Sequence, residues 1–266
     1  MIKKSMYVCI LYMYVFFFFS GKMMLIAVLC LSVLQRASAA AVFPFSSLST
    51  RNATNRQKIV DIHNAYRRSA NPTASNMLKM SWSIEAENNA KNWATTCNQY
   101  HSQPAARQIA NITCGENLFM SSYPASWEEV IQSLHSEYDN FEYGVGAKAV
   151  GLVIGHYTQV MWYKSYRIGC YCTECPNDGV RLKYYYVCQY YPAGNYADRI
   201  NYPYKSGPSC ADCPDACDNG LCTNPCPYED QYSNCDDLAS GDQCDTYQIV
   251  KEGCPGSCLC KNNEII

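Results

Sequence analysis

The sequence lacks the marks of several common protein classes. Beyond residue 40 no stretch is long and apolar enough to span a bilayer. Lysine and arginine are nowhere clustered as in a nucleic-acid footprint, and the formal net charge is −2. The motifs G-x-S-x-G and H-E-x-x-H are both missing, and no unpaired nucleophilic cysteine is evident. We therefore expect no nucleic-acid partner and no enzyme.

Cysteine, by contrast, is abundant. The 266 residues include 18 cysteines, of which Cys9 and Cys30 lie in an apolar leader and 16 lie beyond it. An even number at this density is typical of a disulfide-bonded protein of an oxidising, extracellular compartment. The length is enough for one sizeable core and a small appendage.

The leader has the order of a secretory signal. Lys3 and Lys4 precede two apolar runs, and the small-residue site Ala37-Ser38-Ala39 follows them. We predict a signal peptide over residues 1–40 and a secreted protein, with translation starting at Met1, Met23 or Met24. An uncleaved membrane anchor is the alternative. Asn52 and Asn111 each begin an N-glycosylation sequon.

Charge is distributed unevenly along the chain. From Cys210 to the end there are eleven acidic residues against two basic ones, Lys251 and Lys261, whereas residues 41–209 carry a net charge of +3. The tail is therefore strongly acidic and the body mildly basic.

Periodicity predicts three helices before residue 140. In the first, Asn55–Ser69, an apolar stripe includes His63, which we interpret as a packed core histidine rather than a ligand. The second covers Ser83–Cys97. For the third, Ser126 and Glu129 have capping-box spacing, with Glu129 reaching back; the buried stripe of this third helix is Trp127, Val130, Ile131, Leu134 and Tyr138.

The stretch Gly155–Ser165 is dense in apolar and aromatic residues. Its alternation predicts a strand with His156 and Trp162 on one face. Two tyrosine-rich strands follow, joined by a turn at Asn177-Asp178-Gly179. Helices followed by strands indicate an α+β or layered α/β/α domain. By its composition, the segment Tyr202–Pro208 is typical of a linker.

Two motifs resemble the signatures of the CAP superfamily, which includes the cysteine-rich secretory proteins. They are Gly155–Ser165 with Gly169-Cys170, and Tyr185–Tyr196, about thirty residues apart. The resemblance implies a three-layer α/β/α sandwich followed by a disulfide-rich hinge and a small C-terminal cysteine-rich domain. The expected boundaries are 1–40 for the signal, 41–205 for the CAP domain, 206–224 for the hinge and 225–266 for a domain similar to channel-blocking sea-anemone peptides.

The tail carries the rest of the resemblance. Asp218–Cys226 closely resembles the snake-venom members of the cysteine-rich secretory proteins. The family implies five tail disulfides: Cys210–Cys217, Cys213–Cys222, Cys226–Cys260, Cys235–Cys254 and Cys244–Cys258.

The CAP domain departs from the family's cysteine pattern. Tyr191 occupies a position that is usually cysteine, and Cys172 is an extra cysteine. We expect Cys97–Cys175 and Cys170–Cys188 to be kept and Cys114 to pair with Cys172. A zinc site on Cys170, Cys172 and Cys175 is the alternative.

Four residues match the cleft of the CAP family: His101, Glu116, Glu137 and His156. Two neutral imidazoles can bind a divalent metal, and nearby carboxylates can orient the rings or act as acid and base. Only the resemblance brings these residues together, because their spacing is not that of a ligand set. No cofactor is required, and weak zinc binding at His101 and His156 is the expectation.

The resemblance leaves three classes of function. The favoured one is a venom-type toxin, a monomeric ligand of a membrane ion channel, with voltage-gated calcium channels of smooth muscle first and potassium or cyclic-nucleotide-gated channels after them. A metal-dependent hydrolase and a lipid or sterol carrier are the alternatives. Because the tail is acidic, aromatic and apolar contacts are expected to bind the channel, and the candidates are Tyr228, Tyr232, Tyr247 and Ile249.

Overall fold

The computed structural model describes residues 44–176, 182–232, 234–260 and 264–266. The predicted signal peptide and the turn at Asn177-Asp178-Gly179 lie outside the described residues. Within the described ranges, no helix has the length and apolar content needed to cross a membrane.

Eight α-helices, four short 3₁₀ segments and ten strands make up the regular structure of the described residues. The helices are α1 (Ala53–Arg68), α2 (Ile84–Ala94), α3 (Trp127–His135), α4 (Gly155–Val160), α5 (Cys235–Leu238), α6 (Gln243–Thr246), α7 (Gln248–Gly253) and α8 (Pro255–Leu259). The strands are β1 (Ser81–Trp82), β2 (Gln108–Ile109), β3 (Ile112–Thr113), β4 (Gly115–Ser121), β5 (Phe141–Glu142), β6 (Gly146–Ala147), β7 (Arg167–Glu174), β8 (Tyr184–Tyr191), β9 (Cys217–Asp218) and β10 (Leu221–Cys222).

A four-stranded sheet of order β1-β7-β8-β4 is the central layer. Strand β8 pairs antiparallel with both β7 and β4, so neither of its edges is free. Its residues 185–191 are all buried. Tyr185 and Val187 pack with the apolar side of α2, whereas Tyr186 and Tyr190 belong to a larger core shared with α1, α3 and α4. The predicted three-layer α/β/α sandwich is confirmed.

Side-chain caps begin the three long helices near the predicted positions. Asn52 Oδ1 accepts the N–H of Thr54 at 2.9 Å, and Ser126 Oγ accepts the N–H of Glu129 at 3.2 Å. The reciprocal half of the capping box is wrong, because the Glu129 carboxylate accepts the Tyr123 hydroxyl instead. Tyr138 is also wrongly placed in the buried stripe. The chain turns into a 3₁₀ segment after His135, and Tyr138 is 37% exposed.

His63 is a core histidine, as predicted. Its ring is fully buried, with Nδ1 2.8 Å from the Ile59 carbonyl oxygen and Nε2 3.0 Å from the Tyr190 hydroxyl. Burial lowers the pKa of His63 to about 4, so the ring is neutral at physiological pH.

The strand predicted over Gly155–Ser165 is wrong. Residues Gly155–Val160 form helix α4, with the N–H groups of Thr158 and Met161 bonded to carbonyls four residues earlier. Thr158 and Val160 are both fully buried. Residues 157–160 are all buried. In so short a buried segment, the alternation of apolar residues does not distinguish a helix from a strand.

The cysteines of the described residues form seven of the eight expected disulfides. Two lie in the sandwich, Cys97–Cys175 and Cys170–Cys188, and five in the tail: Cys210–Cys217, Cys213–Cys222, Cys226–Cys260, Cys235–Cys254 and Cys244–Cys258. Because Cys170 and Cys175 are both bonded in this way, the alternative zinc site with Cys172 is wrong.

The expected Cys114–Cys172 disulfide is wrong, and both residues are buried free thiols. Strand register gives the reason. Cys114 precedes β4 at the level of Tyr191, whereas Cys172 pairs with Tyr186, five residues away along β8. At about 3.4 Å per residue the two cysteines are roughly 17 Å apart along the strands. A disulfide needs Cα atoms within about 7 Å.

The segment Tyr202–Pro208 is packed rather than a free linker. Tyr204 is 2% exposed, and Ser206 bridges to Ala74. The hinge that follows also docks on the sandwich, because Cys222 exchanges backbone hydrogen bonds with Met77 and Lys79. Tail and sandwich are therefore joined by buried contacts.

Candidate functional site

The first half of the site is a histidine–glutamate pair, with Glu116 on β4 and His101 in the loop after α2. The side chain of Glu116 is fully buried, and its Oε1 accepts His101 Nδ1 at 3.0 Å. The same carboxylate accepts the backbone N–H of Ser102 at 2.8 Å, the Ser102 hydroxyl at 2.7 Å and Gln189 Nε2 at 3.1 Å. Every donor points at the carboxylate, so it is held in one orientation.

These contacts also keep Glu116 charged. Burial acts to raise the pKa of its carboxyl, but the hydrogen bonds from His101 and Ser102, with the Arg107 guanidinium, bring that pKa below its usual value. A carboxylate at Nδ1 makes Nδ1 the protonated nitrogen of a neutral His101. The ring is 58% exposed and presents its Nε2 lone pair away from Glu116.

The second half is a similar pair at the start of α4. Glu137, in the 3₁₀ segment Ser136–Asn140, accepts His156 Nδ1 on Oε1 at 2.7 Å. Its Oε2 accepts the backbone N–H groups of His156 at 2.8 Å and Tyr157 at 3.2 Å. One carboxylate therefore caps the helix and orients the histidine that the helix carries. Burial acts to raise the pKa of Glu137, but the contacts with His156 lower it below the usual value.

Asn117 joins the two pairs. It follows Glu116 on β4, and its Nδ2 donates to the His156 carbonyl oxygen at 3.1 Å and lies 3.3 Å from the Tyr190 hydroxyl. The sequence predicts no role for Asn117, Ser102 or Gln189. Gln189 lies in the second CAP-like motif, Tyr185–Tyr196, and Asn117 directly follows the candidate Glu116, but the atoms they contact come from distant segments.

Arg67 fixes the other end of α4. Its guanidinium is 1% exposed and donates to the carbonyls of Val160 and Trp162 at 2.9 and 2.8 Å. It also donates to Leu78 O from two nitrogens and to Tyr163 O. A cation at the C-terminal carbonyls of a short helix opposes their negative potential, so α4 is held at both ends by side chains of other elements.

The chemistry available here is that of two oriented imidazoles. The Nδ1 atom of each histidine is hydrogen-bonded to its glutamate carboxylate. In the described part of the chain, neither Nε2 atom has a hydrogen-bond partner. Among the described residues, only Cys210, Cys213 and Cys222 bring three metal-ligating atoms together, and all three are disulfide-bonded. Each pair thus offers one oriented imidazole nitrogen, and among the described residues neither histidine belongs to a group of three ligating atoms.

The candidate channel contacts all lie on the surface of the tail. Tyr228 is 45% exposed, Tyr232 47%, Tyr247 53% and Ile249 71%. Tyr232 packs against Gly253, where a methyl group would lie 2.3 Å from its ring. Three disulfides and a small buried cluster of cysteines hold this surface in place.

An ion pair ties the tail to the sandwich. Lys164 Nζ lies 2.8 Å from Glu229 Oε2, and the side chains are only 12% and 16% exposed. Burial raises the pKa of Glu229, although Lys164 opposes this. The pair borders a cavity of about 450 Å³ that is also lined by Trp162 and Tyr196.

Comparisons with known proteins agree with this architecture. A family model described as "CAP: Cysteine-rich secretory protein family" matches residues 60–190, and a model described as "Crisp" matches residues 210–265. The crystal structure of NaASP2 with Zn²⁺ is 32% identical, with a TM-score of 0.52, covering 65% of this chain and 96% of that one.

Two further solved structures are similar. BmVAL-1 is 28% identical, with a TM-score of 0.51, over 65% of this chain and 95% of its own. Na-ASP-1 is 29% identical, with a TM-score of 0.53, over 63% of this chain; the chain spans 46% of that protein's length.

Proposed function

Because the chain belongs to the cysteine-rich secretory protein family of the CAP superfamily, we propose that it is a secreted ligand of a membrane ion channel that acts through its C-terminal cysteine-rich domain. Its cysteine content and seven disulfides favour an extracellular setting. Voltage-gated calcium channels of smooth muscle are the first candidate target, followed by potassium and cyclic-nucleotide-gated channels.

The observation that carries this proposal is the exposed apolar surface of a rigid tail. Tyr247 and Ile249 lie at the start of α7 and are more than half exposed. A surface already held by disulfides loses little conformational entropy on binding, and aromatic anchors contribute strongly at interfaces.

The charge of the tail defines the kind of contact. With eleven acids against two bases it does not resemble a cationic plug for a cation-selective pore. Tyr247 and Ile249 would bind apolar positions at the channel's outer face, and the acidic surroundings would steer the tail toward basic residues there.

Voltage clamp on smooth-muscle calcium and potassium currents tests the proposal. The purified protein is compared with a Tyr247→Ser/Ile249→Ser variant, and Ile84→Ser, at a 48% exposed site on the sandwich, is the matched control. We expect current block by the native protein and by the control, with at least about tenfold weaker block by the double variant. Point variants are preferable to truncation, because removing the hinge would expose the Leu78 core contact.

A His101→Ala/His156→Ala variant separates the tail from the cleft. A channel ligand of this kind keeps its block in that variant. If the native protein blocks no current, or if block disappears with the two histidines, the proposal fails.

A second activity, zinc binding at His101 and His156, is favoured by one observation. Both rings are bonded at Nδ1 to a charged carboxylate, the arrangement that orients metal-ligating histidines and increases their basicity. NaASP2, a similar protein, has been solved with Zn²⁺. Isothermal titration with ZnCl₂ should show one weak site that His101→Ala/His156→Ala removes. Heat that persists in this variant would place the metal elsewhere.

A further inference from the structure

Two disulfides of the hinge lie against each other. Cys210–Cys217 and Cys213–Cys222 both tie the turn at residues 210–213 to the β9–β10 hairpin. The Sγ atoms of Cys210, Cys213 and Cys222 all lie within 4.8 Å of one another, and the sulfur of Cys217 is bonded to that of Cys210. A thiolate formed at one of these atoms therefore has the sulfur of another disulfide within reach.

The backbone also permits a second pairing of the same residues, the swapped pairing Cys210–Cys213 with Cys217–Cys222. Cys217 and Cys222 are directly opposite in the antiparallel pair β9–β10, where Cα atoms are about 4.5–5.5 Å apart. The N–H of Cys213 bonds to the Cys210 carbonyl at 3.0 Å, a turn whose end Cα atoms lie within about 7 Å. Disulfides usually join Cα atoms about 4.4–6.8 Å apart, so both swapped bonds fit the backbone.

Cys217 gives a thiol from solvent access to this cluster. Among the bonded cysteines of the described residues, Cys217 is the exposed one, Cys97 is half-buried and the others are buried. Exchange begins with attack of a thiolate on an accessible sulfur, and exposed disulfides are the labile ones. The first attack is therefore directed to Cys217, and the group that it releases is the buried thiolate of Cys210, beside the second disulfide.

We propose that the hinge is a thiol–disulfide exchange site that takes a small thiol at Cys217. The thiolate attacks Cys217 Sγ, forms a mixed disulfide and releases the Cys210 thiolate. This thiolate attacks Cys213 Sγ, which forms Cys210–Cys213 and releases the Cys222 thiolate. The Cys222 thiolate then attacks Cys217 Sγ, which forms Cys217–Cys222 and releases the small thiolate. No electrons are gained or lost overall, so the small thiol acts as a catalyst.

The exchange changes what the hinge joins. In the observed pairing, both disulfides connect the turn at residues 210–213 to the β9–β10 hairpin. In the swapped pairing each segment is closed on itself, and neither of these two disulfides joins them. Each segment keeps a backbone contact with the sandwich, because the N–H of Asp212 bonds to Ser75 O at 3.1 Å and that of Cys222 to Met77 O at 2.8 Å. The exchange therefore loosens the hinge and leaves the tail attached.

Disulfide mapping after treatment with excess reduced glutathione tests the proposal on the full chain without residues 1–40. Samples are quenched with acid over time, and their free thiols are alkylated. Asp212, Asp215 and Asp218 separate the four hinge cysteines, so an endoprotease that cleaves before aspartate places each cysteine on its own peptide. The observed and swapped pairings then give different linked peptides.

We expect glutathione to appear first on Cys217 and the swapped pairing to follow. Both should form at least about tenfold faster than any tail disulfide opens, because the attack depends on access to sulfur. The Cys235–Cys254 disulfide, with both cysteines buried, is the control within the same molecule.

A Cys213→Ser/Cys222→Ser variant isolates the first step. Without the second disulfide, the Cys210 thiolate has no neighbouring disulfide to attack, so glutathione should accumulate on Cys217 beside a free Cys210 thiol. Cys235→Ser/Cys254→Ser is the matched control and should keep the swapped pairing at the native rate. Thermal melting checks that both variants fold, and the comparison within the native protein holds if one does not.

Two results would overturn the proposal. One is opening of the tail disulfides as fast as the hinge disulfides, because exposure of Cys217 would then not direct the attack. The other is native protein that stops at the mixed disulfide with Cys213–Cys222 intact, because the second attack would then not occur. Neither result depends on ion-channel block, so the proposed channel ligand and the exchange site fail or stand separately.

Discussion

Replacing Arg67 by methionine gives the sharpest test of how α4 is held. The side chain keeps its length and fills similar space, but the guanidinium is lost. In the described part of the chain, the carbonyls of Leu78 and Val160 have Arg67 as their only hydrogen-bond partner. The carbonyls of Trp162 and Tyr163 would each keep one backbone donor, Ser165 and Leu78 respectively.

The expected cost follows from these contacts. Each buried carbonyl left without a donor costs about 1–3 kcal/mol, so two of them cost roughly 2–6 kcal/mol. Removing the buried, unpaired charge recovers part of this free energy of unfolding, because burial strongly disfavours the charged guanidinium and lowers the pKa of Arg67 to about 9. We expect a net loss of about 3 kcal/mol, or roughly 6–12 °C in Tm for a domain of this size.

Scanning calorimetry and near-ultraviolet circular dichroism measure this loss. Arg68→Met is the matched control. The Arg68 side chain is exposed and, among the described residues, donates one hydrogen bond, to Asn219 O, so its loss should change Tm by about 1 °C or less. Arg67→Lys should be intermediate, because one ammonium cannot reach all four carbonyls. A Tm loss below about 2 °C for Arg67→Met would refute the idea that these carbonyls depend on the guanidinium.

Three further predictions concern charge and thiols. Thiol titration at pH 8 of protein lacking residues 1–40 should detect no reactive thiol in the native state and two in guanidinium. Burial protects the native thiols and raises the pKa of Cys114 and Cys172 to about 12. Fewer than two thiols in guanidinium would mean an additional disulfide. The low pKa values of Glu116 and Glu137 stabilise the folded state above their unfolded pKa, about 4.3, and this stability is lost as pH falls through the folded values. The Tm measured from about pH 6 to 3 should therefore fall less steeply for Glu116→Gln than for the native protein. Parallel Tm curves would contradict this. Lys164→Met should lower the free energy of unfolding, measured by chemical denaturation, by on the order of 3 kcal/mol. Glu229→Gln should lower it less, because burial already disfavours the charge of Glu229. Equal losses for the two variants would contradict this.

Local signals in the sequence were sufficient for much of the fold. Ser83 and Ser126 cap helices close to where the pattern predicts them, and the buried position of His63 followed from its place in an apolar stripe. These features depend on residues three or four positions apart, which is the range that periodicity reports.

Features set by distant segments could not be predicted in this way. Whether Gly155–Val160 is a helix depends on Glu137 and Arg67, which lie outside the segment. The separation of Cys114 from Cys172 depends on the register of β8 against both neighbours. Arg67, at the end of a predicted helix beside Arg68, was indistinguishable from a solvated base. The site required the same long-range information, and only family resemblance supplied it.

The double duty of Glu137 limits how the site can change over evolution. One oxygen holds the histidine ring and the other holds the first turn of the helix beneath it. A lineage that no longer bound a ligand here would still be under selection to retain the glutamate, because its loss would leave the first backbone N–H groups of α4 without their acceptor. Invariance at position 137 would therefore be poor proof of activity, whereas position 101, on an exposed ring with no backbone to support, would be free to drift. Comparing the two positions across related sequences would report function more faithfully than the glutamate alone.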